Sequence, residues 1–179
     1  NCTNGRATGI TLASGETLTA DAIIFNGDTA ALSDGLLGDD VVKSTRTRKR
    51  GERGLSAITW CVKANTSGFE LDHHNVFFAT DYEREFTTIF NDRSVCNEPT
   101  VYVCAQDRVN GELSTDDKER LLLLINAPAD GDHGAWTHSK LEQQRQSALK
   151  VLSRGGLKLD FTEEDCVTTC PDNWHQRFP

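Results

Sequence analysis

Few residues of this chain have the types and spacing that chemistry needs. His73-His74-Asn75 sets two imidazoles side by side, and imidazole is both a metal ligand and an acid–base group near neutral pH. Neighbours on a strand point to opposite faces, so the two rings are not expected to share one ion, and no metal site is predicted. Asp130-Gly-Asp-His133 resembles half of a calcium loop. It lacks the regular acidic spacing and closing Glu of an EF-hand, and reads as a strand-end turn. Glu163-Glu-Asp165 reads as a solvated charge run. The six cysteines form no CxxC pair. Cys61 and Cys104 fall inside predicted strands and read as small buried hydrophobes. Cys166 and Cys170 are half of a metal set that no second pair completes. Trp60, Phe77 and Phe78 either line an apolar ligand tunnel or belong to the ordinary core. There is no Gly-rich phosphate loop and no nucleophile–base motif, and no catalytic residue can be named.

Composition narrows the classes. A chain of 179 residues suits one domain, or one domain with a piece of another. At 37% hydrophobic and 26% charged residues it is globular in type. A net charge of −8 argues against nucleic acid as a partner. The longest apolar run, Leu121–Ile125, has strand length and falls far short of a membrane span. The chain contains no methionine, and Asn1 leads directly into a hairpin pattern, so a piece of a longer protein is expected.

The elements that would position these groups follow from periodicity. A hairpin is predicted with Ala7–Leu12 and Thr17–Phe25 as strands around Ser14-Gly15, ending at Asn26-Gly27-Asp28. A short helix covers 29–37. The connector Lys43–Arg53 is basic, which suits a solvated loop or contact with anionic lipid headgroups. Leu55–Ala64 is a strand with Ile58, Trp60 and Val62 on one face. His74–Ala79 is a second strand. Thr80 and Glu83 form a capping-box pattern for a helix whose Tyr82, Phe86, Ile89 and Phe90 make an apolar stripe. Val101–Gln106 and Arg120–Ala127 are strands, and the latter is apolar on both faces, so cover is expected on both sides. Trp136–Arg154 is the longest helix, capped by Thr137 or Ser139, stopped by Gly155-Gly156 and buried along Leu141, Ala148, Leu149 and Leu152. The tail from Val167 reads as loop. The fold class expected is α+β, a mixed or antiparallel sheet with flanking helices.

Five stretches carry a resemblance. They are Gly15-Glu-Thr-Leu-Thr-Ala-Asp-Ala-Ile-Ile-Phe-Asn-Gly-Asp28, Leu55–Phe78, Pro99-Thr-Val-Tyr-Val-Cys-Ala-Gln-Asp-Arg108, Arg120-Leu-Leu-Leu-Leu-Ile-Asn-Ala-Pro-Ala-Asp130 and Val167-Thr-Thr-Cys-Pro171. Together, from about Gly9 to Pro179, the chain resembles the bacterial phytoene desaturase family, on the branch of hydroxy- and methoxyneurosporene desaturases. The resemblance implies the substrate domain of an amine-oxidase-like FAD flavoprotein, without the family's GxGxxG fingerprint and with most of the FAD site missing. It divides the chain into a remnant of the FAD-binding domain (1–36), a basic connector (37–54), a substrate-binding domain (55–170) and a return segment (171–179).

It also implies a C40 carotenoid substrate, dehydrogenated by hydride transfer to flavin. Trp60, Phe77 and Phe78 become substrate-lining residues, and Asn26, Gly27 and Asp28 fall where a flavin contact is expected. This piece alone is expected to be inactive. A cytoplasmic location with peripheral membrane contact through Lys43–Arg53 goes with that reading. The alternatives are a carotenoid isomerase or retinoid saturase of the same superfamily, or a non-enzymatic lipid-cargo binder like the escort proteins for prenylated GTPases.

Overall fold

Alternation along one long strand organises the larger of two units. In the computed structural model, which describes residues 1–46, 52–110, 112–113, 117–134 and 136–178, the chain divides into unit 1 (Asn1–Glu52 with Arg177–Pro179) and unit 2 (Arg53–Gln176).

Unit 1 is built from short elements. β1 (Cys2–Thr3) pairs antiparallel with β2 (Arg6–Ala7), and β3 (Gly9–Thr11) with β4 (Thr17–Thr19). Gly9 is required by close approach, since a Cβ there would stand 2.4 Å from the Leu18 carbonyl oxygen. The predicted return strand to Phe25 stops at Thr19. The Ala20 amide still donates to the Thr8 carbonyl at 3.0 Å, but among the described residues no ladder continues along 21–25. Ile24 is exposed there, and the Phe25 ring instead folds onto Gly27. Two short helices replace the single one expected over 29–37: α1 (Thr29–Ser33) and α2 (Asp39–Val42). Gly35 and Gly38, both at positive φ, lie in the break between them.

Unit 2 contains β5 (Leu55–Ser67), β6 (His74–Phe77), α3 (Tyr82–Phe90), β7 (Val101–Ala105), β8 (Arg108–Val109), β9 (Glu112–Leu113), β10 (Glu119–Pro128), α4 (His138–Arg154), β11 (Lys158–Asp160), β12 (Cys166–Thr169) and all but the last residue of α5 (Pro171–Arg177). The main sheet is antiparallel and runs β11-β5-β10-β7-β6, with β12 also pairing along β5; β8 and β9 form a separate ladder. Mixed α and β structure with antiparallel sheets and few helices agrees with the α+β expectation.

Ile58, Trp60, Val62 and Ala64 of β5 turn to one face, as predicted, together with Leu121, Leu123 and Ile125 of β10 and Val101 and Val103 of β7. α4 lays Ala148, Val151 and Leu152 on that face. Thr137 caps it by accepting the Lys140 amide. The expected stripe shifts by part of a turn: Gln144 and Val151 are buried, while Leu141 and Leu149 are half-buried.

Three local expectations are corrected. Asp81, not Thr80, caps α3, its carboxylate accepting the Arg84 amide at 2.9 Å. The inward residues of α3 are Glu85 and Ile89, whereas Tyr82 and Phe90 are exposed. The rings of Phe78, Tyr82, Phe86 and Phe90 form an i, i+4 ladder with neighbouring centroids 5.7, 4.9 and 6.4 Å apart. The tail is not a loop either: β12 pairs along the β5 edge, and Pro171 opens α5 at a first-turn position that needs no amide donor.

Candidate functional site

The sheet of unit 2 has a second face. Residues directly opposite in an antiparallel ladder point the same way. Val167, Cys61, Leu122, Cys104 and His74 therefore form one row across β12, β5, β10, β7 and β6. The next row is Thr169, Thr59, Leu124, Tyr102 and Val76. The five strands span about 19 Å at the usual spacing. α3 covers one end of this face, where Asn126 Nδ2 donates to Glu85 Oε1 at 3.3 Å and the Thr100 amide to Glu85 Oε2 at 3.1 Å.

Away from that end, and apart from the buried Thr59 and Thr169, the face stays accessible. Val167 is 63% exposed and Val76 50%, Cys61 is exposed, and Leu122, Leu124, Tyr102 and Cys104 are half-buried. Cover on both sides of Leu121–Ile125 is thus not observed among the described residues. Cys61 and Cys104 are not the fully buried hydrophobes expected. What this face offers is an elongated apolar strip with a few polar atoms at one margin.

That margin is the His73–Cys104 corner. His74 lies opposite Cys104 in the β6–β7 ladder, and His74 Nδ1 is 2.7 Å from the Tyr102 hydroxyl. His73 precedes β6, where the Asp72 amide donates to Asn75 Oδ1 (2.9 Å) and Asn75 Nδ2 to the Asp72 carbonyl (2.7 Å). Strand alternation does not operate across this turn. The two rings meet edge to face at 4.4 Å, contrary to the divergence expected of strand neighbours. His73 Nδ1 is 3.0 Å from the Arg108 carbonyl and His73 Nε2 is 3.8 Å from Cys104 Sγ. Partial burial, aided by the contact with Cys104, pushes the Tyr102 phenol pKa up.

Charges ring the sheet without entering the strip. Arg108 Nε pairs with buried Glu119 at 2.6 Å, and Thr66 adds a hydrogen bond at 2.9 Å. Arg120 holds the Asp107 carboxyl below its usual range by hydrogen bonding, and the Lys118 ammonium holds Asp165 at about 2. Glu163-Glu-Asp165 is a capped 3-10 turn whose Glu163 and Glu164 are exposed, as expected of a solvated charge run, with Glu163 paired to Arg145. Asp130-Gly-Asp-His133 is the turn expected, with Asp132 2.8 Å from Arg53. Of the basic connector, residues 47–51 lie outside the described residues; Arg46 pairs with Glu52 at 2.5 Å. A cavity of about 230 Å³ between Arg93, Asn97, Trp136, Lys140 and Gln144 is lined by polar groups and does not suit a hydrocarbon.

The expected site residues separate. Trp60 is 1% exposed and Phe77 8%, both inside the packed core. The Phe77 ring closes so tightly on Gly155 that a Cβ there would approach to 2.4 Å. Neither borders open space, because both sit on the face that α4 seals. Phe78 is 62% exposed and joins the α3 ladder. Sequence reasoning passed over Leu122, Leu124, Tyr102 and Val167, although the even positions of an all-apolar strand were the available signal. Asn26 and Gly27 are exposed, and Asp28 Oδ1 is engaged by the Ala30 amide at 2.8 Å as the cap of α1. These three residues do not by themselves form a cradle for a flavin.

Family models searched with the chain give no match. Curated proteins do. The chain is 46% identical over 176 residues to the hydroxyneurosporene desaturase of Rubrivivax gelatinosus, covering 98% of this chain and 34% of that protein. It is 39% identical over 175 residues to the hydroxyneurosporene desaturase of Cereibacter sphaeroides, with the same coverage. The 1-hydroxycarotenoid 3,4-desaturase of a Flavobacterium is 30% identical over 91% of this chain and 32% of its own length.

The chain matches a segment of carotenoid desaturases.

It spans about a third of the length of the curated relatives it matches. In a chain similar to a segment of carotenoid desaturases, the apolar strip and its aromatic neighbour Phe78 are the surfaces that call for a chemical account. No helix among the described residues is long and apolar enough to cross a membrane.

Proposed function

We propose that the full-length protein dehydrogenates an acyclic carotenoid, and that this segment supplies part of the wall along which the polyene lies. The observation that carries the reading is the accessible apolar strip formed by Val167, Cys61 and Leu122 with Leu124, Tyr102 and Val76 beside them. A long hydrocarbon offers almost nothing to hydrogen-bond, so its orientation rests on extended apolar contact and on exclusion of water. The relatives' names point to hydroxylated carotenoids as the substrate class, hydroxyneurosporene among them.

The reaction removes two hydrogens from adjacent saturated carbons and extends the conjugated system by one double bond. FAD as hydride acceptor is part of the proposal and rests on the family resemblance. Asn26, Gly27 and Asp28 add no support to it, and no step is assigned to them. Peripheral membrane contact through the connector around Lys43 and Arg53 suits a substrate that partitions into bilayers, in a protein working on the cytoplasmic side.

The test is product analysis with the full-length protein and hydroxyneurosporene. A product lighter by two hydrogens, with its visible absorption shifted to longer wavelength, is expected. An isomer of unchanged mass favours the isomerase alternative. Tight carotenoid binding without turnover favours the cargo-binder alternative.

A further inference from the structure

The geometry points to a zinc-type cation site at the margin of the sheet, formed by His73, His74 and Cys104. The three residues offer one ligand atom each, and these atoms all lie within 4.8 Å of one another. A tetrahedral zinc ion at usual bond lengths needs neighbouring N and S ligand atoms about 3.4–3.6 Å apart. His73 Nε2 and Cys104 Sγ are already at 3.8 Å, so the remaining closure is a side-chain adjustment by His74.

Three further features fit an ion rather than a chance cluster. His73 Nδ1 faces the Arg108 carbonyl at 3.0 Å. A protonated Nδ1 donating to that oxygen leaves the Nε2 lone pair aimed at the Cys104 side, the usual orienting bond of a metal-bound histidine. His74 has its own partner in the Tyr102 hydroxyl at 2.7 Å, which holds the second ring in the same manner. The backbone is pinned as well: the Asp72–Asn75 hydrogen bonds hold the turn that brings His73 round to the side of His74.

The donor set selects the ion. Two neutral imidazoles and one thiolate suit a borderline-soft divalent cation and offer none of the oxygen ligands that calcium or magnesium demands. Three protein ligands leave a fourth position for water. β6 is the last strand of the main sheet, and an ion shared by His74 on β6 and Cys104 on β7 would fasten that edge. The inference does not depend on the carotenoid reading, because it concerns binding and edge stability rather than turnover.

Cobalt(II) titration of the reduced, metal-stripped full-length protein tests it, since cobalt bound to a thiolate absorbs in the near ultraviolet. One equivalent of cobalt is expected to produce that band, and zinc to displace it. Cys104→Ser should abolish the band and His73→Asn should weaken it, while Cys61→Ser on the same row leaves it intact. Tyr102→Phe, which removes only the orienting hydroxyl, should weaken binding about tenfold. Zinc should raise the melting temperature of the wild type and not that of Cys104→Ser. The proposal is overturned if wild-type protein gives no thiolate band, or if the band survives Cys104→Ser. Should Cys104→Ser fold poorly, retention of the full band by both His73→Asn and His74→Asn would overturn it equally.

Discussion

Leu122 lies directly opposite Cys104 in the β10–β7 ladder, and both turn away from the core that Leu123 and Val103, one residue along each strand, help to build. A single step in register thus separates packed interior from accessible apolar strip. The two faces make different demands. One packs against α4, and the other, in the proposed function, accepts something long and apolar.

Substrate should shield Cys61. It is exposed in the middle of the strip, whereas Cys170 is buried. Peptide-resolved alkylation of the full-length protein should show Cys61 modified more slowly once carotenoid is bound, with Cys170 unreactive throughout. Equal Cys61 rates with and without carotenoid would place the substrate elsewhere.

Trp60 should behave as core. Its side chain is 1% exposed among Val62, Leu123 and Val103. Trp60→Ala is expected to cost about 3–5 kcal/mol of folding stability, read by urea denaturation. A stable Trp60→Ala variant with altered substrate preference would return Trp60 to the tunnel wall.

Glu119 and Arg108 should be coupled. The carboxylate is 2% exposed and receives both Arg108 and Thr66. Removing one partner leaves a charge buried, so Glu119→Ala is expected to destabilise by about 3–5 kcal/mol. The double variant Glu119→Leu with Arg108→Met should lose less than the two single losses combined. Simple additivity in a denaturation cycle would show that the pair is not a unit.

Acid should loosen the Lys118–Asp165 tie in a defined window. Asp165 is held at about 2, against an ordinary value of 3.8, chiefly by the hydrogen bond from Lys118. Its folded-state pKa is lowered, so its contribution to stability is complete above about 3.8 and disappears as pH falls towards 2. Lys118→Met should therefore flatten the stability–pH curve in that interval and leave Asp165 titrating nearer 3.8 by NMR. An unchanged Asp165 titration in the variant would assign the depression to the Thr162 hydrogen bonds instead.

Much of unit 2 is legible in the amino-acid sequence. Ile58, Trp60 and Val62 alternate with polar or small residues, so period two identified both the strand and its buried face. Leu121–Ile125 offered no such contrast. A run of five apolar residues cannot say which face is sealed, and only the ladders to Trp60 and Val103 decide it. Trp60, Phe77 and Phe78 looked alike as aromatics. Their separation depends on Gly155 admitting the Phe77 ring while Phe78 falls to the other side. The His73–His74 juxtaposition was hidden because Asp72 and Asn75 bend the chain just where alternation was assumed. The tail from Val167 carried a usable signal in Pro171, but its pairing with β5 is a long-range contact that local pattern does not encode.

The most direct test of the central claim is kcat/KM for carotenoid in the full-length protein carrying Leu122→Lys, measured with its melting temperature. Losing the contact of one leucine with substrate is worth about 1.5–3 kcal/mol, or roughly 10–150-fold. The account predicts a fall of that size with the melting temperature unchanged, since Leu122 is outside the α4-packed core. Unaltered kcat/KM, or a loss that only tracks a collapse in stability, would contradict it.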